Sequence, residues 1–477
     1  MKLVRISPRR ETCGELFAPM ERYLAEKGRD LFRPAETITV GRGPARIDVM
    51  GGIADYSGSV VFEGTLGQAA ALAVQPRDDR TLRVNSTMLQ AQGKPCKVTL
   101  SLDDLRRGDR PLDYEAARKL LTSKKDDRWA AYVLGTIVVL ETERVLHMER
   151  GADMLLWSDA PIGVGVASSA AVEVASMYAL VSALGADLAP ERLAALCQVV
   201  ENRVVGAPCG IMDQVTSAMG ESGKLLALRC QPCEVLGLHE LPPGVGVFGI
   251  SSRVVHSVGG EAYAAARVSA FMGLKIILTE MQKRGRKITK NDLYLCNVSP
   301  QVYLEDFRAA LPETLTGKEF LARYGETTDT VTKVKPDKTY KVRLGAEHPI
   351  FENHRVQAFI ECIERAQAGD RTALVEAGAL MYASHSSYGQ NCGLGCAETD
   401  LIVRLVRERG QEQGLYGAKI TGGGSGGTVA ILADKSAEGK VREIAAQYNE
   451  KTGIKPDIFN STSPGAYALG PRQYRLE

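Results

Sequence analysis

The stretch PIGVGVASSAAVEVA, residues 161–175, decides how the rest of the sequence is interpreted. Gly163 and Gly165 allow the backbone to turn with its N–H groups exposed, and Ser168 and Ser169 stand where an alanine-rich helical run begins. A helix N-terminus has unpaired donors and a partial positive charge, so this loop and helix suit a phosphate group. The spacing is not that of a P-loop. Taken alone, the pattern is equally typical of a Gly/Ser helix cap that binds nothing.

Two carboxylates lie within otherwise apolar helical sequence. Glu173 follows the serines by about one helical turn, where an acidic oxygen can reach a Mg²⁺ ion. Asp213 stands in PCGIMDQVTSAMG, residues 208–220, among apolar neighbours. A carboxylate in such surroundings needs a partner or a chemical task. On its own, Asp213 is also consistent with an acidic residue that complements the dipole of its helix.

Two further glycine-rich segments accompany polar side chains. GRGPARIDVMGGIADYSGS, residues 41–59, holds Arg46, Asp48 and Asp55 near a glycine pair, which favours backbone wrapped around a polar ligand. GAKITGGGSGGTVAIL, residues 417–432, has five glycines in six positions between two strand-like runs, and such a loop can close over an anion. The alternatives are a hairpin with a solvent salt bridge for the first segment and a tight hairpin at a domain seam for the second.

The hydrophobic pattern changes along the chain. Residues 37–102 contain short β-branched or alternating runs between turn residues, which predicts strands. Helices are predicted after them at about 129–144, 170–184, 190–204, 211–219, 261–283, 355–368, 371–384 and 397–409. The runs on either side of the last glycine-rich loop are predicted to be strands.

Turn residues divide the chain into two halves. The Leu-Pro-Pro-Gly sequence at 241–244 is the predicted boundary, so we expect one domain over residues 1–243 and a second over 244–477. A charged and weakly periodic stretch at about 284–346 interrupts the second half. We expect it to be an insertion or an exposed subdomain, because a run of charges is usually a solvated face.

The composition is that of a globular enzyme. Apolar residues make up 44% and charged residues 24% of the 477 residues, which excludes a largely disordered chain. Lys plus Arg total 59 and Asp plus Glu 57, so the net charge of +2 does not predict a nucleic-acid partner. The apolar runs are shorter than the roughly 18 residues that span a bilayer, and the N-terminal stretch lacks the apolar core of a secretory signal. We expect a cytoplasmic protein without nucleic-acid or membrane partners.

Cysteine spacing gives only a weak indication of a metal site. The ten cysteines are too few for a disulfide scaffold. Cys230 with Cys233, and Cys392 with Cys396, have the spacing of ligand pairs. A structural zinc ion needs four ligands, however, and nothing in the sequence brings the two pairs together. We expect reduced thiols at these positions.

Taken together and in this order, GPARIDVMGG, PIGVGVASSAA and KITGGGSGG resemble the three motifs of the GHMP small-molecule kinases. This superfamily is named for galactokinase, homoserine kinase, mevalonate kinase and phosphomevalonate kinase. The CGIMDQ sequence is similar to a helix of the galactokinase branch. MGGIADYSGS, LYLCNVSPQVY and HPIFENHRV resemble the kinase region of plant L-arabinokinases. The resemblance runs from about residue 37 to residue 465.

The resemblance implies a fold class. We expect an α+β chain with the two-domain GHMP kinase fold. Its N-terminal domain would be a mixed sheet with helices, similar to ribosomal protein S5, and its C-terminal domain would be α/β. The active site would lie in the cleft between the two domains.

The resemblance also implies roles for individual residues. Family members bind MgATP and phosphorylate a hydroxyl group, so ATP and Mg²⁺ are the expected cofactors and a small-molecule sugar is the expected partner. Asp213 matches the catalytic base that faces the acceptor hydroxyl, and Arg46 matches the neighbouring guanidinium that stabilises charge. The remaining implied positions are Asp55, Gly52, Ile53, Gly210 and Tyr263 for the sugar, Gly163, Gly165, Ser168, Ser169, Ala170, Gly423 and Gly424 for ATP and its phosphates, and Glu173 with Ser169 for the metal.

One departure from the family pattern concerns the acceptor. Galactokinases typically read G-E-H-T-D-Y where this chain reads GGIADY, residues 51–56, so Gly52 replaces an acidic residue and Ile53 a histidine. In galactokinases the acidic position meets the hydroxymethyl end of the sugar, and L-arabinopyranose is galactopyranose without that group. The sequence therefore favours a sugar 1-kinase that acts on L-arabinose.

Two alternatives stay open. The chain could be a galactokinase with relaxed recognition of the hydroxymethyl group, or a sensor that binds sugar and ATP without catalysis. The presence of Arg46, Glu173 and Asp213 argues against the sensor. We expect a monomer or a weak homo-oligomer.

Overall fold

A computed structural model describes residues 2–6, 15–254 and 260–477. Its strands are β1 (Leu3–Arg5), β2 (Ile38–Met50), β3 (Val60–Pro76), β4 (Thr81–Ser86), β5 (Lys97–Ser101), β6 (Arg106–Arg107), β7 (Arg110–Pro111), β8 (Ala152–Ser158), β9 (Lys224–Arg229), β10 (Glu234–Glu240), β11 (Val245–Ser251), β12 (Leu315–Thr316), β13 (Thr339–Tyr340), β14 (Leu415–Ile420), β15 (Thr428–Asp434), β16 (Ile458–Phe459) and β17 (Arg472–Leu476).

The helices follow the same chain order. They are α1 (Ala18–Lys27), α2 (Thr87–Ala91), α3 (Tyr114–Thr122), α4 (Ala131–Thr142), α5 (Ser168–Ala183), α6 (Pro190–Val199), α7 (Met212–Met219), α8 (Glu261–Lys283), α9 (Pro300–Val302), α10 (Gly317–Tyr324), α11 (Val342–Gln367), α12 (Thr372–Gln390), α13 (Ala397–Arg409), α14 (Glu438–Thr452) and α15 (Ala466–Leu469). A π-helical turn, Val200–Val205, continues α6.

The larger sheet has the strand order β1-β17-β2-β3-β8-β4-β5, with β9 paired to β3 and β10 to β9. The sequence predicted four short strands where the structure has the long antiparallel pair β2 and β3. Irregularities in this pairing lie at Pro44/Arg46 and at Asp48/Met50. Bulges of this kind re-aim side chains next to active sites. They occur here on either side of Arg46.

Helix α5 lies unusually close to β2. A Cβ atom at Gly41 would stand 2.6 Å from the backbone oxygen of Ala175, and one at Gly43 would stand 2.6 Å from that of Ala171. Only glycine on the strand permits this approach, and alanines on the helix match it. The contact fixes the start of α5, where the serines lie, beside the centre of β2.

The smaller sheet has the order β14-β15-β11-β16. Helices α13 and α14 share a hydrophobic core with it. Helices α11 and α12 belong to another core, which contains residues of β2, β3 and β15 and so joins the two sheets. The predicted strands on either side of the last glycine-rich loop are confirmed as β14 and β15.

The expectation that residues 284–346 are solvent-exposed is wrong, whereas their being an insertion stays a prediction. Tyr303, Phe307, Phe320 and Tyr340 are all buried and pack in one core with α8. These aromatic residues are too widely spaced to produce a periodic signal, whereas the charges between them dominate the composition. The last residues of the stretch also belong to α11, which begins at Val342.

One feature of the sheet crosses the predicted domain boundary. Strand β17 lies between β1 and β2, so residues 472–476, from the second half of the chain, complete the first sheet. The division at residues 243 and 244 otherwise stays a prediction. Helix α8 is long and apolar enough to cross a membrane, and 67% of its most apolar stretch is buried inside the fold.

Candidate active site

Arg46 and Asp213 form the centre of the candidate site. Nε and Nη2 of Arg46 lie 2.8 and 2.7 Å from Oδ1 of Asp213. Arg46 comes from β2 and is 3% exposed, whereas the Asp213 side chain, in the first turn of α7, is 18% exposed. The structure therefore brings together the two predicted catalytic residues and leaves the carboxylate accessible.

Arg46 also connects this centre to the predicted phosphate loop. Its Nη1 donates to the carbonyl oxygen of Gly165 at 2.8 Å, and its backbone N–H donates to that of Val166 at 3.1 Å. Burial alone would lower the pKa of Arg46, but Asp213 and Glu63 together raise it. The guanidinium is therefore a permanent positive charge between the carboxylate and the loop.

A buried charged cluster supports Arg46 from the side of the sheet. Glu63 lies opposite Asp48 in the β2–β3 ladder, and Asp48 Oδ2 is 2.8 Å from Nζ of Lys419. The Tyr388 hydroxyl donates to the same Oδ2 at 3.2 Å. Burial, followed by the charge of Asp48, raises the pKa of Glu63 well above its usual range. Glu63 Oε2 also lies 3.3 Å from Nε of Arg46, and Asp48 is the ion-pair partner of Lys419.

The predicted phosphate loop has the backbone of an anion site. Gly163, Gly165 and Ala167 have φ values of +76°, +79° and +55°. Alternation between left-handed and right-handed residues turns successive N–H groups toward one point. Helix α5 begins directly after this loop, at Ser168, so its unpaired N–H groups point to the same region.

The second glycine-rich loop packs on the phosphate loop. A Cβ atom at Gly422 would meet the carbonyl oxygen of Gly165 at 2.8 Å, and the Thr428 hydroxyl donates to the Val164 carbonyl at 2.7 Å. The role of Gly423 and Gly424 in binding ATP stays a prediction.

An apolar cavity opens beside the start of α5. It has a volume of about 190 Å³, and its lining includes Trp129, Tyr132, Ser168, Ser169 and Val172. The Trp129 indole nitrogen is buried without a hydrogen-bond partner among the described residues. An apolar cavity with aromatic walls and an unused donor suits a heteroaromatic base next to a phosphate site. Sequence reasoning missed this slot, although two aromatics three residues apart, Trp129 just before α4 and Tyr132 in its first turn, are a usable signal.

Two buried carboxylates lie next to Ser169. The Gln214 side-chain amide donates to Glu173 at 3.0 Å and to Glu201 at 2.9 Å, so it joins them. Burial and then the charge of Asp213 raise the pKa of Glu201 to about 7, whereas hydrogen bonds, including one from Ser169, lower it. Burial and then the charge of Glu201 raise the pKa of Glu173 well above its usual range.

These contacts add Glu201 to the candidate metal ligands. Ser169 bonds to Glu201, and an oxygen of Glu173, Oε1, is buried without a partner among the described residues. Two carboxylates and a hydroxyl fit Mg²⁺, which is usually held by one or two carboxylates plus substrate phosphates. Glu173 stays a predicted ligand. Sequence reasoning missed Glu201, and its signal is a lone acid in the apolar run LCQVVENRVV, residues 196–205.

Asp55 and Gly210 meet on the other side of Asp213. Asp55 is 4% exposed, and its carboxylate occupies the space that a Cβ atom of Gly210 would need. Burial and then the charge of Asp213 raise the pKa of Asp55 to about 6, although Arg267 lowers it. The buried Tyr263 ring packs edge-on against that of Tyr56, the neighbour of Asp55, with 6.1 Å between ring centres. The structure thus groups three of the predicted sugar-binding residues.

Gly52 and Ile53 occupy constrained positions. A Cβ atom at Gly52 would overlap the Tyr388 hydroxyl and the Asp48 carboxylate. The Gly52 carbonyl accepts a bond from Nε2 of His348 at 3.0 Å. Burial lowers the pKa of His348 to about 4, so this histidine is neutral. Ile53 is 2% exposed and has a φ of +61°, which is strained for a β-branched residue.

Comparison with protein families gives two matches. Residues 131–221 match the GHMP kinases N terminal domain, and residues 359–451 match the GHMP kinases C terminal family. Among curated proteins, the L-arabinokinase of Arabidopsis thaliana is 40% identical over 92% of this chain, and this chain spans only 47% of that protein's length. A galactokinase of Chloroflexus aggregans is 29% identical over 92% of this chain and 93% of its own.

Solved structures show the same two-domain fold. The galactokinase of Lactococcus lactis in complex with galactose superposes with a TM-score of 0.68, at 21% identity, over 94% of this chain and 98% of that one. The mevalonate kinase of Methanococcus jannaschii superposes with a TM-score of 0.53, at 14% identity, over 89% of this chain and 98% of that one. The α+β, two-domain GHMP kinase fold that the sequence predicted is confirmed.

Proposed function

The chain belongs to the GHMP kinase family, and we propose that it is an ATP-dependent sugar 1-kinase that transfers the γ-phosphoryl group to the anomeric hydroxyl of L-arabinose. The observation that carries this proposal is the Arg46–Asp213 pair, in which one guanidinium contacts an accessible carboxylate and the phosphate loop together. The 40% identity to a plant L-arabinokinase supports the choice of sugar.

The chemistry of the pair follows from its charges. Asp213 accepts the proton of the attacking hydroxyl, and Arg46 offsets negative charge on the phosphoryl group in transfer. Because Arg46 is already fixed by Asp213 and the Gly165 carbonyl, its position costs no reorganisation during the reaction. Glu63, whose Oε2 lies 3.3 Å from Nε of Arg46, holds the guanidinium from the side of the sheet.

ATP would bind across the start of α5. Its base would enter the slot between Trp129 and Tyr132, and its phosphates would contact the N–H groups of the loop and helix. Glu201 and Ser169 would hold Mg²⁺ together with phosphate oxygens, and Mg²⁺ would supply charge neutralisation there.

The preference for a pentose follows from the lack of space for a side chain at Gly52. The acidic residue of galactokinases has no room at this position, because even a Cβ atom would overlap Tyr388 and Asp48. A sugar hydroxymethyl group would therefore lack that partner, and a buried hydroxyl without its hydrogen bond costs about 1–3 kcal/mol. L-Arabinopyranose has no such group and avoids this cost.

A panel of three sugars tests the proposal. L-Arabinose, 6-deoxy-D-galactose and D-galactose share one ring configuration and differ by an added methyl and then an added hydroxyl. We expect kcat/KM from ADP release to be roughly tenfold to a hundredfold higher for L-arabinose than for D-galactose. If Ile53 excludes the larger sugars by size, 6-deoxy-D-galactose will be as poor as galactose, and if the hydroxyl cost dominates, it will resemble arabinose.

The same panel distinguishes the alternatives. A higher kcat/KM for D-galactose supports the galactokinase and contradicts the arabinose assignment, while it leaves the roles of Arg46 and Asp213 intact. Binding of both sugar and ATP in calorimetry, without ADP release, supports a non-catalytic sensor instead.

A further inference from the structure

The stretch at 284–346 reaches the sugar side of the site through one buried ion pair. Asp329 accepts bonds from Nε and Nη2 of Arg267, on α8, at 2.8 and 2.9 Å. Both side chains are 6% exposed or less. A two-point contact between a guanidinium and a carboxylate fixes the orientation of both groups, not only their distance.

Arg267 in turn contacts the residues around Asp55. Its guanidinium carbon lies 5.2 Å from the centre of the Tyr56 ring, and its Nη1 donates to the Cys209 carbonyl at 3.4 Å. Tyr56 follows Asp55 in sequence, and Cys209 precedes Gly210. Arg267 therefore spans the two chain segments that supply Asp55 and Gly210.

A cavity of about 260 Å³ lies at this junction. Asp55, Gly210 and Arg267 line it from the two domains, and Thr330 and Val331 line it from the segment around Asp329. We call residues 327–332 the insertion loop. Its two lining residues follow directly after the buried anchor.

We propose that the insertion loop forms a wall of the sugar pocket and limits the size of the sugar that is accepted, with Thr330 and Val331 as the specificity-determining residues. This inference rests on the proposed sugar kinase activity and adds to it a determinant outside the three shared motifs.

The anchor makes the wall rigid enough to discriminate. Besides its two bonds from Arg267, Asp329 accepts bonds from the backbone N–H groups of Val331 and Thr332 at 3.0 and 3.1 Å. The Thr332 hydroxyl donates to the same carboxylate at 2.5 Å. Five bonds to one buried side chain hold the loop in one conformation, so an oversized sugar meets a fixed surface.

The test enlarges the sugar pocket by shortening two side chains of its wall, and it leaves the anchor residue Asp329 unchanged. The double variant Thr330→Ala, Val331→Ala removes lining atoms, and Thr328→Ala, an exposed threonine of the same loop that does not line the cavity, is the matched control. kcat/KM is measured for L-arabinose and for D-galactose. We expect the galactose-to-arabinose ratio to rise at least about threefold in the double variant and to stay at the wild-type value in the control, with the KM for ATP unchanged in both.

A second variant addresses the anchor. Asp329→Asn should raise the KM for L-arabinose about fivefold or more and leave the KM for ATP unchanged, because it loosens the wall on the sugar side only. The thermal midpoint of each variant shows whether it is folded, and the double variant stands as the test if Asp329→Asn unfolds.

The outcomes separate this inference from the proposed function. Suppose that the wild-type chain phosphorylates sugars, but the double variant keeps the wild-type galactose-to-arabinose ratio of kcat/KM or changes it no more than Thr328→Ala does. The role of the insertion loop in specificity is then overturned, while the sugar kinase activity stands. If the wild-type chain phosphorylates neither sugar, the proposed function and the wall are overturned together.

Discussion

Arg46 and Asp213 are 167 residues apart in sequence, yet Nη2 of Arg46 lies 2.7 Å from Oδ1 of Asp213. The pair exists because a bulged strand and the first turn of a helix meet beside the phosphate loop. The cation is buried and fixed, whereas the carboxylate is partly exposed. This exposure fits the proposed role of Asp213 as general base, because a substrate could reach the carboxylate without displacing Arg46.

Asp213→Asn should lower kcat by about 10²- to 10⁴-fold, the usual effect of removing a general base. The amide keeps the shape of the side chain and an oxygen acceptor for Arg46, so the affinity for ATP should change little. Single-turnover kinetics and ATP titration measure the two effects. Turnover close to that of the wild type would leave Asp213 as a residue that complements the dipole of α7.

Glu201→Gln should raise the Mg²⁺ concentration needed for half-maximal rate and lower kcat, with a smaller effect on sugar affinity. The reason is that this variant removes one charged metal ligand and keeps the size of the side chain. Glu173→Gln is the matched comparison, because both carboxylates accept a bond from Gln214. If the Mg²⁺ concentration for half-maximal rate rises only in Glu173→Gln, then Glu173, the residue that the sequence predicted, is the metal ligand and Glu201 is not.

The KM for the sugar should rise as the pH falls through about 6. Burial and Asp213 raise the pKa of Asp55 to about 6, so Asp55 is increasingly protonated below that pH. A charged carboxylate is a stronger acceptor for sugar hydroxyls than its neutral form. Each pH unit below the pKa lowers the charged fraction about tenfold, so the KM at pH 5 should be roughly tenfold above its plateau.

Asp55→Asn gives the control for this pH dependence. Its sugar KM should be high at every pH, and the KM for ATP should be flat in both proteins. A sugar KM in the wild type that stays constant between pH 5 and pH 8 contradicts the assignment of Asp55.

Gly52→Ala should destabilise the protein by about 1–3 kcal/mol, the usual cost of overpacking, because its methyl group would overlap Tyr388 and Asp48. Gly439→Ala is the matched control. It lies in α14 with open space around its Cβ position, so it should be neutral or slightly stabilising. Urea unfolding measures both. Equal stability of the two variants would mean that position 52 tolerates a side chain.

Trp129→Ala should raise the KM for ATP about tenfold and leave the KM for the sugar unchanged. Stacking of a base on an aromatic side chain is worth about 1–3 kcal/mol. Trp129→Phe keeps one aromatic ring for stacking and loses the five-membered ring with its unused N–H donor, so its KM should lie between those of the wild type and Trp129→Ala. An unchanged KM for ATP in Trp129→Ala would mean that the nucleotide base of ATP does not bind against Trp129.

Local signals were enough to predict much of the scaffold. The Gly/Ser start of α5 and the strands around the last glycine loop can be predicted from the sequence, because turn residues and apolar periodicity act over a few positions. The meeting of Arg46 with Asp213 came instead from a family resemblance, since no local pattern links residues in different elements.

Other features depend on packing that the sequence does not display. The Asp329–Arg267 bond joins residues 62 positions apart, and the charges around Asp329 indicated a solvated surface. The constraint on Gly52 comes from Tyr388, on a helix of the other half of the chain. Gly52 is not itself left-handed, whereas Gly51 and Ile53 are, so side-chain collision and not its own φ restricts that position.

The position of β17 between β1 and β2 has a consequence for biosynthesis. A ribosome releases residues 472–476 only after both halves of the chain have been translated, so the first sheet keeps a gap beside β2 until those residues emerge. The nascent first half cannot reach its final hydrogen bonding on its own, and the unpaired edge of β2 is open to wrong partners during that time. Completion of this sheet therefore waits for the synthesis of residues 472–476.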